Sequence, residues 1–261
     1  DATLNAAANI TDDGNALTVL EADVLTANAG GSVTLDTTVA SADVTTSAAG
    51  DIDIDETDAI VLTAVDTNDG AITVDAGGQI TATDVDSSNT NADANDVNLT
   101  TTAGDISVGA VDAGSAGDAT LNAAANITDD GSGATVLAAD DLIADAGGSV
   151  TLDTTVDSAN VSTSAAGDID IDETNAIVLS DVDANDGSIT VDAGGQITAT
   201  DVASLTNADA NDISLTTTAG DIAVGTVTAG SAGDATLNAA ANITDDGNAL
   251  TVLAADDLIA D

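Results

Sequence analysis

The stretch DLIADAGGSVTL, residues 141–152, decides how this chain folds. Leu142 and Ala144 alternate with outward residues, Ala146-Gly147-Gly148 forms a small corner, and Val150 and Leu152 alternate again around Thr151. Period-two alternation marks a strand, because successive side chains point to opposite faces. Four neighbouring stretches share the design: DATLNAAANIT from Asp118, NVSTSAAGDIDI from Asn160, SITVDAGGQITA from Ser188 and DISLTTTAGDIAV from Asp212. The step between the two apolar pairs is constant in four of the five, as from Leu142 to Val150, and one position longer from Ile213 to Ile222. Five such units in 116 residues average about 23, inside the range that signals solenoids.

A longer repeat encloses the short one. DATLNAAANITDDG begins at Asp1, at Asp118 and again at Asp234, so the repeat is 117 residues and then 116. The residue lost is in a loop, where DSSNTN (86–91) becomes ASLTN (203–207). The expected organisation is one continuous solenoid, with a first five-coil repeat over 1–117, a second over 118–233 and the start of a third over 234–261. The fold class is all-β, a parallel β-helix of about eleven coils of about 23 residues. Val150/Leu152, Ile169/Ile171, Ile189/Val191 and Ile222/Val224 are expected to point inward, with Thr151, Asp170, Thr190 and Ala223 outward. Glycines at the corners Ala146-Gly147-Gly148, Ala166-Gly167-Asp168 and Ala193-Gly194-Gly195 would allow positive φ and close stacking of turns. A third apolar group, such as Ile177-Val178-Leu179 or Val227, would close the cross-section. The chain opens at Asp1 in mid-pattern, and both ends of the solenoid would be raw edges, so a segment of a longer chain is expected.

Composition agrees with a slender fold. The 261 residues include no Phe, Tyr, Trp, Met, Pro or Cys, so packing must come from Val, Ile, Leu and Ala, which suits a narrow core. An acidic, ring-free chain also fits disorder, but 43% hydrophobic residues at a regular period have something to pack against. No apolar run reaches the roughly 18 residues that span a bilayer. With no Lys, Arg or His and a formal charge of −47, binding to nucleic-acid phosphates or to anionic membranes is excluded.

That charge asks for cations. Eleven coils at about 4.8 Å make a rod of about 53 Å, so the 47 carboxylates would exceed the linear charge of DNA. Calcium prefers oxygen ligands, and the Asn/Asp loops are the candidate sites. Asp181-Val-Asp183-Ala-Asn185-Asp186-Gly187 resembles a D-x-D-x-N calcium loop, with Asp186 where glycine is usual. Its first-copy counterpart keeps Asp66, Asn68 and Asp69 but opens with Ala64, losing the first ligand. The next coil offers Asp209, Asn211 and Asp212, matched by Asp93, Asn95 and Asp96. Stacking would bring neighbouring loops together. Asn and Asp also make turns and self-bonding ladders, so both readings stand. The stripes Asp51/Asp53/Asp55 and Asp168/Asp170/Asp172 are expected to be a solvated face, with Thr or Ser beside them in adjoining coils. Thr100–Thr102 and Thr216–Thr218 would need repetition on every coil to form an ice-binding array.

No enzyme is expected. A nucleophile needs a base or a cation beside it, and neither His, Lys nor Arg is present. A carboxylate pair for glycoside hydrolysis would lack aromatic or basic groups to hold a sugar. The copies exchange charges, with Ala40 becoming Asp157 and Asp112 becoming Thr228, while Ile52/Ile169 and Ile72/Ile189 hold. A catalytic constellation would fix its carboxylates; a scaffold fixes its core.

The units GDISV (104–108) and GDIAV (220–224), GGSVTL (30–35, 147–152), GGQITA (77–82, 194–199) and TTTAGDI (100–106, 216–222) resemble the repeats of filamentous-haemagglutinin-like exoproteins and giant bacterial adhesins. The resemblance implies a secreted right-handed β-helix that forms a fibre or stalk at a bacterial cell surface and assembles with itself. Without basic or aromatic residues, receptor and heparin binding do not carry over. The other functional reading is an acidic polymer that gathers Ca²⁺ for a sheath, matrix or mineral.

Overall fold

In the computed structural model each turn of chain lies against the next with its strands parallel, and the fold is an all-β parallel solenoid of roughly 12 turns with a period of about 21 residues. The structure describes residues 1–14, 19–132, 136–206, 208, 210–248 and 251–261. The chain divides into two compact units, Asp1–Asp140 and Asp141–Asp261.

In the first unit one column of paired residues runs Ile10, Val33, Ile52, Ile72, Val97, Ala119. From Val33 onward each is fully buried. Backbone bonds bind turn to turn, for example Val33 N to Asp51 O (2.9 Å) and Ile72 N to Asp96 O (2.8 Å). A second column stacks Ile60, Ile80, Ile106 and Ile127, and a third stacks Val65, Val85, Val111 and Leu137. The second unit repeats the first column as Val150, Ile169, Ile189, Ile213 and Ala235, all fully buried. Aliphatic residues on parallel strands stack on their own kind, so the dry interior extends with each turn and needs no ring to fill it.

Turns differ in length because their corners do. The turn that carries Leu25 to its partner Ala42 is short, whereas the one from Ile80 to its partner Ile106 is half as long again. The strand Val33–Thr46 runs along two flanks, pairing with Ile52–Glu56 through its first part and with Ile60–Asp66 through its second. Thr63 is an extra residue in the second pairing, a bulge that frees the Ala42 carbonyl, and the Thr63 hydroxyl donates to that oxygen at 2.7 Å. Ser180 does the same for Ala159 O at 2.8 Å in the other copy.

Ala223 takes the outward position expected of it, in register with Thr198 and Thr244, and is covered, at 9 % exposure, because it is shorter than they are. Two expectations need amendment. Ile177 does not share a role with Val227: it stacks with Ile197 and Ile222, while Val227 stacks with Val202 and Val182. Glycine at the GGQITA corner serves close approach and not positive φ, which occurs instead at the TTTAGDI corner, at Gly104 (φ 90°) and Gly220 (φ 91°).

A side chain on Gly194 would overlap the Thr174 carbonyl oxygen and lie 2.8 Å from its carbon, and Gly77 stands the same way to Thr57. Backbone on the adjacent turn has nowhere to retreat. Gly194→Ala is expected to cost about 3 kcal/mol, lowering Tm by roughly 6–12 °C in a thermal melt followed by circular dichroism. Gly247→Ala, at φ 84° with open space around it, should cost only about 1–2 kcal/mol. Equal losses at both sites would refute the steric account.

Candidate cation sites and the carboxylate ladders

The long loops stack as their spacing suggests, but their oxygens are engaged with the protein itself. Asp66 Oδ1 accepts from Asn89 Nδ2 (2.8 Å) and Asp69 Oδ1 from the Thr90 hydroxyl (2.7 Å), each linking one turn to the next. Asn95 is buried; its Nδ2 donates to Ser87 O (2.8 Å) and its Oδ1 accepts from Gly70 N (3.1 Å). Asp96 Oδ1 accepts from Asp118 N at 3.0 Å. Asn91 adopts φ 49°, a left-handed turn that asparagine tolerates, and its Oδ1 accepts from Ser115 N (2.7 Å). Asn68 and Asp93 are exposed.

In the second unit Asp186 Oδ1 accepts from the Thr206 hydroxyl (2.6 Å) and from Asn211 Nδ2 (3.1 Å), and these bonds hold its pKa below the ordinary value. Asn211 is buried, and Asp212 Oδ1 accepts from Asp234 N at 2.9 Å. Asp183 is half-buried, which raises its pKa, with Asp181 and Asp201 adding repulsion. Asn185 N donates to the Thr163 hydroxyl (3.0 Å). Asp209 lies outside the described residues. The loops therefore bring Asp66, Asp69 and Asn95 into one network and Asp186 and Asn211 into another. Among the described residues no three carboxylates converge on one point as metal ligands.

The strand stripes are more crowded than expected. Thr34 and Thr73 flank Asp53, in line with the reading above, but Asp55 sits between Asp36 and Asp75 in an unbroken column of carboxylates. Asp12 joins it from the preceding turn, its Oδ2 accepting from Asp36 N at 3.2 Å. The second unit repeats the ladder as Asp153, Asp172 and Asp192. Corner lengths that vary from turn to turn put these residues in register, so a uniform coil length could not reveal it. Partial burial raises the pKa of Asp53, and repulsion from Asp75, Asp36, Asp51 and Asp12 adds to it. Asp55 is raised in the same sense, by partial burial first and then by Asp53, Asp75, Asp36 and Asp12.

Glu56 and Glu173 escaped the sequence reading altogether. Each is 4 % exposed and sits inside the solenoid, stacked on Thr37 and Thr154 respectively. Glu173 Oε2 accepts from the Thr154 hydroxyl (2.8 Å) and Val156 N (3.0 Å), and Oε1 accepts from Asn175 N (2.7 Å). Glu56 makes the equivalent bonds with Thr37, Val39 and Asp58. Strict alternation through Ile52-Asp-Ile54-Asp-Glu56 was the available signal, because it turns the glutamate inward. These carboxylates fasten a corner where two turns meet. Compared with protein-family models, curated proteins and solved structures, the chain matches none.

Proposed function

We propose that this solenoid is a structural repeat of an extracellular bacterial fibre, stalk or adhesin filament, performing no catalysis. The observation that carries the reading is the contrast between core and surface. Val33/Val150, Ile52/Ile169 and Ile72/Ile189 are fully buried in both copies, while outward charges change freely between them. A chain selected for length and stiffness keeps its stacking columns and lets its surface drift. The resemblance to filamentous-haemagglutinin-like repeats points the same way, with self-assembly as the partnership it suggests.

A second reading, an acidic polymer that gathers divalent cations, draws support from the ladder Asp36–Asp55–Asp75, where repulsion accumulates and no basic side chain relieves it. Thermal melts in Ca²⁺, in EDTA and in NaCl of matched ionic strength separate the two. Specific binding at a hundredfold excess over Kd is worth about 2.7 kcal/mol, so Ca²⁺ would raise Tm by roughly 5–11 °C beyond the NaCl control. Asp55→Asn combined with Asp172→Asn would blunt that rise. Equal melts in Ca²⁺ and NaCl leave the scaffold reading alone.

A further inference from the structure

Following equivalent residues of successive copies through the register brings out a rotation. Asn5 lies in a column with Asn28, Thr45, Asp66, Asp86 and Asp112, five turns from first to last. Its equivalent in the second copy, Asn122, is absent from that column and belongs instead with Thr100, Asp75, Asp55 and Asp36. Both columns lie within the first unit. One copy of the repeat therefore carries the chain through five turns and part of a sixth.

We infer that the 117-residue repeat is a rotating one: within the first unit the second copy opens on a different flank from the one on which the first copy opens, so that no flank there carries the regular spacing an extended flat lattice needs, and the surface suits small, mobile ions. The inference follows from chain length and corner geometry, and it holds whether the scaffold or the cation-gathering reading is correct. A flat, ordered partner such as a mineral face needs the same side chains at one spacing along one flank. Here a flank keeps one copy's pattern for about five rungs, about 24 Å, before another part of the repeat takes its place. The neutral ladder on the first flank illustrates this: Asn28 Nδ2 donates to Asn5 Oδ1 (3.1 Å) and the Thr45 hydroxyl to Asn28 Oδ1 (2.9 Å), but Asn122 stands above the carboxylate column. Mobile cations are indifferent to such a change of face.

The chain has no cysteine, so pairs of nitroxide labels can be placed uniquely in the full-length protein. Asn5→Cys with Asp112→Cys spans one column, and Asn5→Cys with Asn122→Cys tests the rotation; if the Asp112 variant fails to fold by circular dichroism, Asp86→Cys, one rung nearer, replaces it and one rung, about 5 Å, is added to its reading. The first pair should read about five rungs, roughly 24 Å between backbones. The second should be longer by well over a rung, because its labels leave from different flanks and the section lies between them. Two distances within one rung of each other, about 5 Å, would mean a whole number of turns per copy and would overturn the inference.

Discussion

Acidifying this protein from pH 7 toward pH 4.5 is expected to raise its melting temperature, the reverse of the usual acid denaturation. Glu173, Asp53, Asp55, Asp66 and Asp183 all have folded-state pKa values above the ordinary carboxylate value, with burial as the largest cause in each. The folded chain therefore binds protons more tightly than the unfolded chain. Stability from such groups is fully present below the unfolded pKa and is lost as pH rises through the folded one. The window runs from about pH 4 upward to the raised values. Asp186 and Asp245 are lowered by hydrogen bonds to Thr206 and Thr251 and act in the opposite sense, but both are exposed and salt weakens them. Circular dichroism melts at fixed ionic strength across pH 7 to 4.5 check the sign. Added NaCl at pH 7 should raise Tm as well, since it screens repulsion that no Lys, Arg or His offsets. A melting temperature that falls steadily with acid would show that the ladders and the buried glutamate do not govern stability.

Removing a buried glutamate has the second large effect. Glu173→Ala deprives Val156 N, Asn175 N and the Thr154 hydroxyl of their acceptor and opens a hole in a stacked core. The Thr154 hydroxyl and Val156 N meet the carboxylate in buried surroundings, where a donor left unpaired costs about 1–3 kcal/mol. The expected loss is about 3–5 kcal/mol, or roughly 6–20 °C in Tm. Glu173→Gln keeps one oxygen but turns an NH₂ group toward donors, so it should recover only part of the loss, and it should reduce the rise in Tm on acidification. If Glu173→Ala melted with the parent chain, the corner would be held by aliphatic stacking alone.

The architecture was legible because a parallel solenoid is written in a local code. Alternation at Ile169/Ile171 or Ile189/Val191 states which side chains turn inward, and repetition states that turns stack. The same alternation placed Glu56 and Glu173 inside, but a lone acid in a chain with 47 carboxylates draws no notice until its three donors are seen around it.

From the sequence alone came the strand character, the repetition and the ring-free aliphatic core. Each rests on residue type and on spacing over a few positions, which backbone geometry translates directly. Only the tertiary structure decided which residues of different turns share a column. Register accumulates over every corner, and turns as unequal as Leu25 to Ala42 and Ile80 to Ile106 cannot be phased from an average. That accumulation put Asp36, Asp55 and Asp75 in line, returned the oxygens of Asp69 and Asp186 to their neighbours' hydroxyls, and moved Asn122 off the flank of Asn5.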